Sequence, residues 1–107
     1  MKGIADVDAG ICGYSVHIEA EADDAFDICG VSVRTECPNI KEVGDTFEID
    51  ILDTMKHGYR SKFFSMIQQK TPPLHCGCAL GTGIYHAMMV AGGIALPKDI
   101  TIRLKKG

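Results

Sequence analysis

Three short thiol-bearing segments carry the chemistry this sequence could do: Ile11-Cys12-Gly13, Glu36-Cys37-Pro38 and His75-Cys76-Gly77-Cys78. Each falls at an expected boundary between elements, where a thiolate finds the partly open, electropositive setting it needs as a ligand or nucleophile. Cys37 precedes one expected helix start, and Cys76 and Cys78 precede another. Unpaired N–H groups and the helix dipole at such starts favour the thiolate over the thiol. His75 adds an imidazole able to bind a metal or carry a proton. There is no CxxC pair, so a site has to be assembled from distant segments. Three thiolates with one His or a fourth Cys suit tetrahedral zinc and an iron–sulfur centre alike.

The cysteines number five, Cys12, Cys29, Cys37, Cys76 and Cys78. The opening Met1-Lys2-Gly3-Ile4-Ala5-Asp6 places an acid where a signal peptide would carry its apolar core, so a cytoplasmic location is expected. An odd set of cysteines without an export signal fits reduced thiols, metal ligands or redox chemistry better than a disulfide framework. Cys29 is the exception, read as a small buried hydrophobe between strand residues. With 107 residues the chain is sized for one domain, spanning 1–107. Apolar residues at 46% and charged residues at 23% describe a globular protein with a core. A net charge of −3 supplies no basic field, which argues against a nucleic-acid partner. No apolar run reaches the roughly 18 to 20 residues of a membrane span, so no membrane partner is expected.

Positioning these segments falls to an α+β arrangement. Residues 14–22 alternate Tyr14, Val16, Ile18, Ala20 and Ala22 against Ser15, His17, Glu19 and Glu21, the pattern of a half-buried strand. Asp23-Asp24 reads as a turn and 26–35 as the second strand of a hairpin. A parity switch across Cys29-Gly30 predicts a β-bulge there. Residues 2–8 are expected as an edge strand. Pro38 suits a first helical turn, and Ile40, Val43, Phe47, Ile51, Leu52 and Met55 follow at helical spacing up to Gly58. Tyr59 to Gln69 predicts a second helix, stopped by Thr71-Pro72-Pro73. A third helix is expected from about Ala79 to Ala95, its glycines marking close packing. Ile100, Ile102 and Leu104 alternate with Thr101, Arg103 and Lys105 as in a strand. The expected fold is thus an antiparallel sheet of three to four strands packed against two to three helices.

In order and setting, the thiol segments resemble the iron–sulfur cluster assembly scaffold family of the IscU/NifU N-terminal type. Those scaffolds have a three-stranded antiparallel sheet, then helices, and three essential cysteines. Their first Cys, in Cys-Gly-Asp, precedes a strand; the second ends a strand and opens a helix; the third follows a His and opens the last long helix. Cys12-Gly13, Cys37 and His75-Cys76 match in order, with spacings of 25 and 39 residues, and Pro72-Pro73 matches the paired prolines before the His-Cys segment. The likeness covers about residues 12 to 92. Tyr14 replaces the family's Asp, the carboxylate that helps bind metal and keeps a cluster labile. Cys78 and the expected strand at 100–104 have no counterpart.

The resemblance implies a scaffold or carrier rather than an enzyme. It would hold zinc or an iron–sulfur cluster, or persulfide sulfur, on Cys12, Cys37 and Cys76, with His75 and Cys78 as auxiliary residues. It also implies a cysteine desulfurase or another sulfur donor as partner, while the Gly- and Ala-rich last helix could pack in a homo-oligomer. One alternative is a thiol redox or sulfurtransferase enzyme in which Cys78 resolves Cys76 and His75 carries protons. Another is a binding module with buried, inert thiols. His17 and His57 read as solvated residues, His86 as a packing or surface residue, and Met66, Met88 and Met89 as core. Gly81-x-Gly83 is too short for a phosphate loop, and nothing places a Ser, His and Asp as a hydrolytic triad.

Overall fold

Val16, Ile18, Ala20 and Ala22 are all buried, while Ser15, His17, Glu19 and Glu21 face outward, so one strand face belongs to the core. This strand is the second of four in a single antiparallel sheet: β1 (Lys2–Asp8), β2 (Ser15–Ala22), β3 (Ile28–Thr35) and β4 (Thr46–Asp50), in that spatial order. The computed structural model describes residues 1–8, 13–41, 46–70 and 79–107. The helical elements are a single turn α1 (Pro38–Lys41), α2 (Ile51–His57), α3 (Lys62–Lys70) and α4 (Leu80–Ala91), with a 3₁₀ turn at Gly58–Arg60. Sheet and helices form the expected α+β layer pair.

The β2–β3 hairpin pairs without interruption from Val16↔Thr35 to Ala22↔Cys29, and no bulge interrupts it. The parity switch has another cause. Phe26 lies outside the strand, in the turn, with a left-handed φ of 59°. Only Cys29, Val31 and Val33 belong to the inward set, and all three are buried.

The long helix expected after Pro38 is replaced by a helical turn, a strand and a shorter helix. Thr46-Phe47-Glu48-Ile49-Asp50 alternates with period two, and β3 offers it an edge through the pairs Gly30↔Glu48 and Cys29↔Ile49. Asp50 then ends β4 and caps α2, its carboxylate accepting the Asp53 N–H at 2.9 Å. Gly58 closes α2 with a positive φ, and Ser61 starts α3 by accepting the Phe64 N–H at 3.3 Å.

α4 covers the inward face of β1 and β2. Gly3 makes this approach possible, since a Cβ there would run into the Ala87 carbonyl group. Gly83 lies over Val7 and Ile18 in the same way. The helix therefore runs antiparallel to β1, its start near Asp8 and its end near Gly3. α3 closes the other side, with Phe63 stacked on Phe47 and Phe64 set against Tyr85 of α4. The expected strand at 100–104 is absent: residues 96–107 carry no regular structure and are exposed throughout. Among the described residues, no helix is long and apolar enough to cross a membrane.

Candidate functional site

Cys37 occupies the turn between β3 and α1. Its side chain is half-buried and packs against the edge of the core, leaving part of the thiol region open. The turn is fixed by its neighbours. The Cys37 N–H donates to Thr35 Oγ1 at 3.2 Å, and the same hydroxyl donates to the Ser15 carbonyl at 2.8 Å. A threonine with both functions satisfied thus joins the Cys37 turn to the first residue of β2.

Two of the three thiol segments flank that junction in sequence. Gly13 and Tyr14 lead into Ser15, and Gly13 adopts a φ of 76°, which a glycine takes without strain. Tyr14 is 38% exposed. The third segment is followed by Ala79 and α4. Since Gly83 lies over Val7 and Ile18, the start of α4 sits at the sheet end formed by Asp8, Ser15 and Thr35. Ala79 has no side-chain group to cap the helix, and the first turn contains no acid. The positive dipole end of α4 thus has neither a side-chain cap from Ala79 nor an acid in its first turn. The described flanks of all three segments therefore lie at one end of the sheet. Cys12, Cys76, His75 and Cys78 themselves lie outside the described residues, and among the described residues no His, Cys, Asp and Glu group forms a metal cage.

Cys29 is different. It is fully buried on the inward face of β3, and burial pushes its thiol above the ordinary value, only partly offset by the Glu21 backbone. It is a core residue, as the strand pattern predicts. His17 is not simply solvated: its Nδ1 pairs with Asp6 Oδ1 at 2.6 Å and its Nε2 lies 3.7 Å from Glu19. His57 pairs with Asp53 at 3.1 Å, and His86 sets its ring edge-on to Tyr85. Met88 is fully buried, with Met66 and Met89 packed around the core. Gly81 and Gly83 serve helix packing against Phe64 and against Val7 and Ile18.

The family model described as a family of unknown function, DUF6951, matches residues 4–104. The chain belongs to that family. No curated protein and no solved structure matches it. The family's span takes in all five cysteines and runs through Leu104. Sequence reasoning passed over Thr35, although a threonine two residues before a cysteine at a strand end is a common local partner for backbone groups.

Proposed function

We propose that this member of the family is a small metal- or sulfur-binding protein, carrying zinc, an iron–sulfur cluster or persulfide on Cys12, Cys37 and Cys76. His75 and Cys78 are the auxiliary residues. One observation supports the reading above the others: Gly13, Cys37 and Ala79, the described neighbours or members of the three segments, share one end of the sheet. Chain connectivity keeps Cys12 one residue from Gly13 and Cys76 three residues from Ala79, a short reach for thiolates gathering on one ion.

The chemistry of the donor set fits. A thiolate-rich site with one imidazole suits zinc or iron–sulfur ligation, and the start of α4, where Ala79 supplies no side-chain cap, favours negative charge beside it. Tyr14 supplies no carboxylate, so the site would hold its cargo through sulfur. Cluster hand-over to a recipient, and a cysteine desulfurase or other sulfur donor as partner, belong to the same proposal. So does a cytoplasmic location, where such thiols stay reduced.

Anaerobic purification followed by zinc, iron and sulfide analysis, a visible spectrum and intact mass tests it. Close to one equivalent of zinc or of a cluster, or sulfur added to a thiol by mass, is expected, and Cys37→Ser should remove it. Less than about a tenth of an equivalent of metal, with no added sulfur on a folded sample, would overturn the proposal.

A further inference from the structure

The exposed segment after Pro97 presents a strand pattern without a strand. Ile100, Ile102 and Leu104 are 53%, 79% and 92% exposed, and they alternate with Thr101, Arg103 and Lys105. Such period-two alternation is the pattern of a chain with one face against a core and one in water. Isolated apolar residues on a surface are ordinary; three at alternate positions of one segment, all wholly outside the core, are not.

The same chain carries an edge suited to it. β1 borders the sheet, with β2 on one side and no strand on the other among the described residues. The Ala22 N–H donates to the Met1 carbonyl, so odd residues of β1 exchange hydrogen bonds with β2. Antiparallel ladders alternate, so Lys2, Ile4 and Asp6 turn their backbone N–H and C=O groups outward. On the inward side Ala5 and Val7 remain only partly buried beside α4. Phe47 of β4 is partly buried as well, but β4 has five residues against the seven of β1. The edge long enough for a six-residue strand is therefore at β1.

We propose that residues 100–105 of one copy of this chain add as a fifth strand to the open edge of β1 in a second copy. Ile100, Ile102 and Leu104 then extend the layer of Ala5 and Val7 under α4. Thr101, Arg103 and Lys105 fall on the outer face, beside Ile4, Asp6 and Asp8 and near Glu19 and Glu21 of β2. The charges are complementary: the segment from Lys98 to Lys106 carries four cations against the single acid Asp99. Its length also fits, six residues against the seven of β1. A second copy is the occupant because the segment stands exposed and unpaired with its own β1, while every copy brings both the strand and the edge. β-Strand addition gains its affinity from backbone hydrogen bonds and its register from alternate side chains.

The test is the association state under reducing conditions, by sedimentation velocity over about 1 to 100 μM protein. The unsubstituted chain is expected to form a dimer or larger assembly. Ile102→Pro alters only the exposed segment, and Ile4→Pro removes an outward N–H from β1 while sparing the ladder to β2. Each should weaken association about tenfold or more by deleting ladder hydrogen bonds. Hydrogen exchange at the Ile4 and Asp6 amides should be slower in the unsubstituted chain than in Ile102→Pro. A monomeric unsubstituted chain overturns the proposal, as does an assembly that Ile102→Pro leaves unchanged. Protection appearing at Glu48 of β4 instead of at Ile4 and Asp6 overturns the assignment to β1.

Discussion

Thr35 holds Ser15 across the β2–β3 pair: its hydroxyl donates to the Ser15 carbonyl at 2.8 Å while accepting the Cys37 N–H at 3.2 Å. One side chain thereby joins the end of β3, the start of β2 and the turn that presents Cys37. The strand ladder ends there, at the pair Val16↔Thr35, and the Thr35 hydroxyl carries the connection one step beyond it.

Thr35→Val retains shape and β-branching but deletes both bonds. Its expected cost is about 1 kcal/mol in urea unfolding, with Thr35→Ser recovering most of it. The more specific readout is local: the Cys37 amide should exchange faster in Thr35→Val and regain its protection in Thr35→Ser. Equal exchange in all three proteins would mean that the turn is held by something else.

Two glycines in the strands on either side of β2 should respond oppositely to the same change. A Cβ on Gly3 would lie 2.9 Å from the Ala87 carbonyl carbon and 3.1 Å from the Ala91 nitrogen, both backbone atoms that cannot step aside. Gly3→Ala is expected to push α4 off the sheet at a cost of roughly 1–3 kcal/mol. At Gly30, on the helix-free face, the nearest atom is the Glu21 carbonyl oxygen at 3.9 Å. Gly30→Ala should be neutral or stabilise by about 0.4–1 kcal/mol through the unfolded chain. Thermal unfolding of the two variants side by side checks the pair.

The contrast bears on what could be read in advance. Hairpin, edge strand and last helix follow from local alternation and helical spacing, and they lie where those patterns put them, except that the helix ends at Ala91 rather than near Ala95. β4 was hidden because Ile40, Val43, Phe47 and Ile51 also satisfy a helical repeat. What decides is the empty edge of β3, a partner distant in sequence that pairs Glu48 with Gly30. The segment 100–104 is the reverse case, a strand pattern for which this chain's own described residues provide no partner. At the thiol site, the ends of the elements were legible; their gathering at one end of the sheet was not, because it depends on α4 running antiparallel to β1. That direction rests on close contacts at Gly3 and Gly83, which no periodicity encodes.

Cys29 and Cys37 should separate cleanly in labelling. Cys29 is fully buried with its thiol pushed up by that burial, so it stays protonated and out of reach. Cys37 is half-buried at a turn. In metal-free protein at neutral pH, iodoacetamide should modify Cys37 and reach Cys29 only after denaturant is added, as read by peptide mass mapping. Comparable rates at the two would contradict the packing of β3. The raised Cys29 thiol also predicts a sign at high pH: its contribution is intact below the ordinary thiol value and is lost as pH rises through the raised one, because the unfolded chain ionises first.

Acid should act through Asp53. Its Oδ2 accepts the Lys62 N–H at 3.0 Å, its Oδ1 pairs with His57 Nδ1 at 3.1 Å, and together these hold the start of α3 to α2. The Lys62 backbone bond is the main reason its carboxyl lies below the usual range, with His57 adding to it against a desolvation effect that works the other way. A depressed folded value means that the unfolded chain takes up the proton first. The stabilisation is thus present above the ordinary carboxylate value and is lost as pH falls through the folded one. Asp53→Asn should therefore melt below the unsubstituted protein at neutral pH, and the gap should close as pH falls below the ordinary carboxylate range. A gap that persists unchanged below that range would show that the carboxylate charge contributes nothing at the α2–α3 junction.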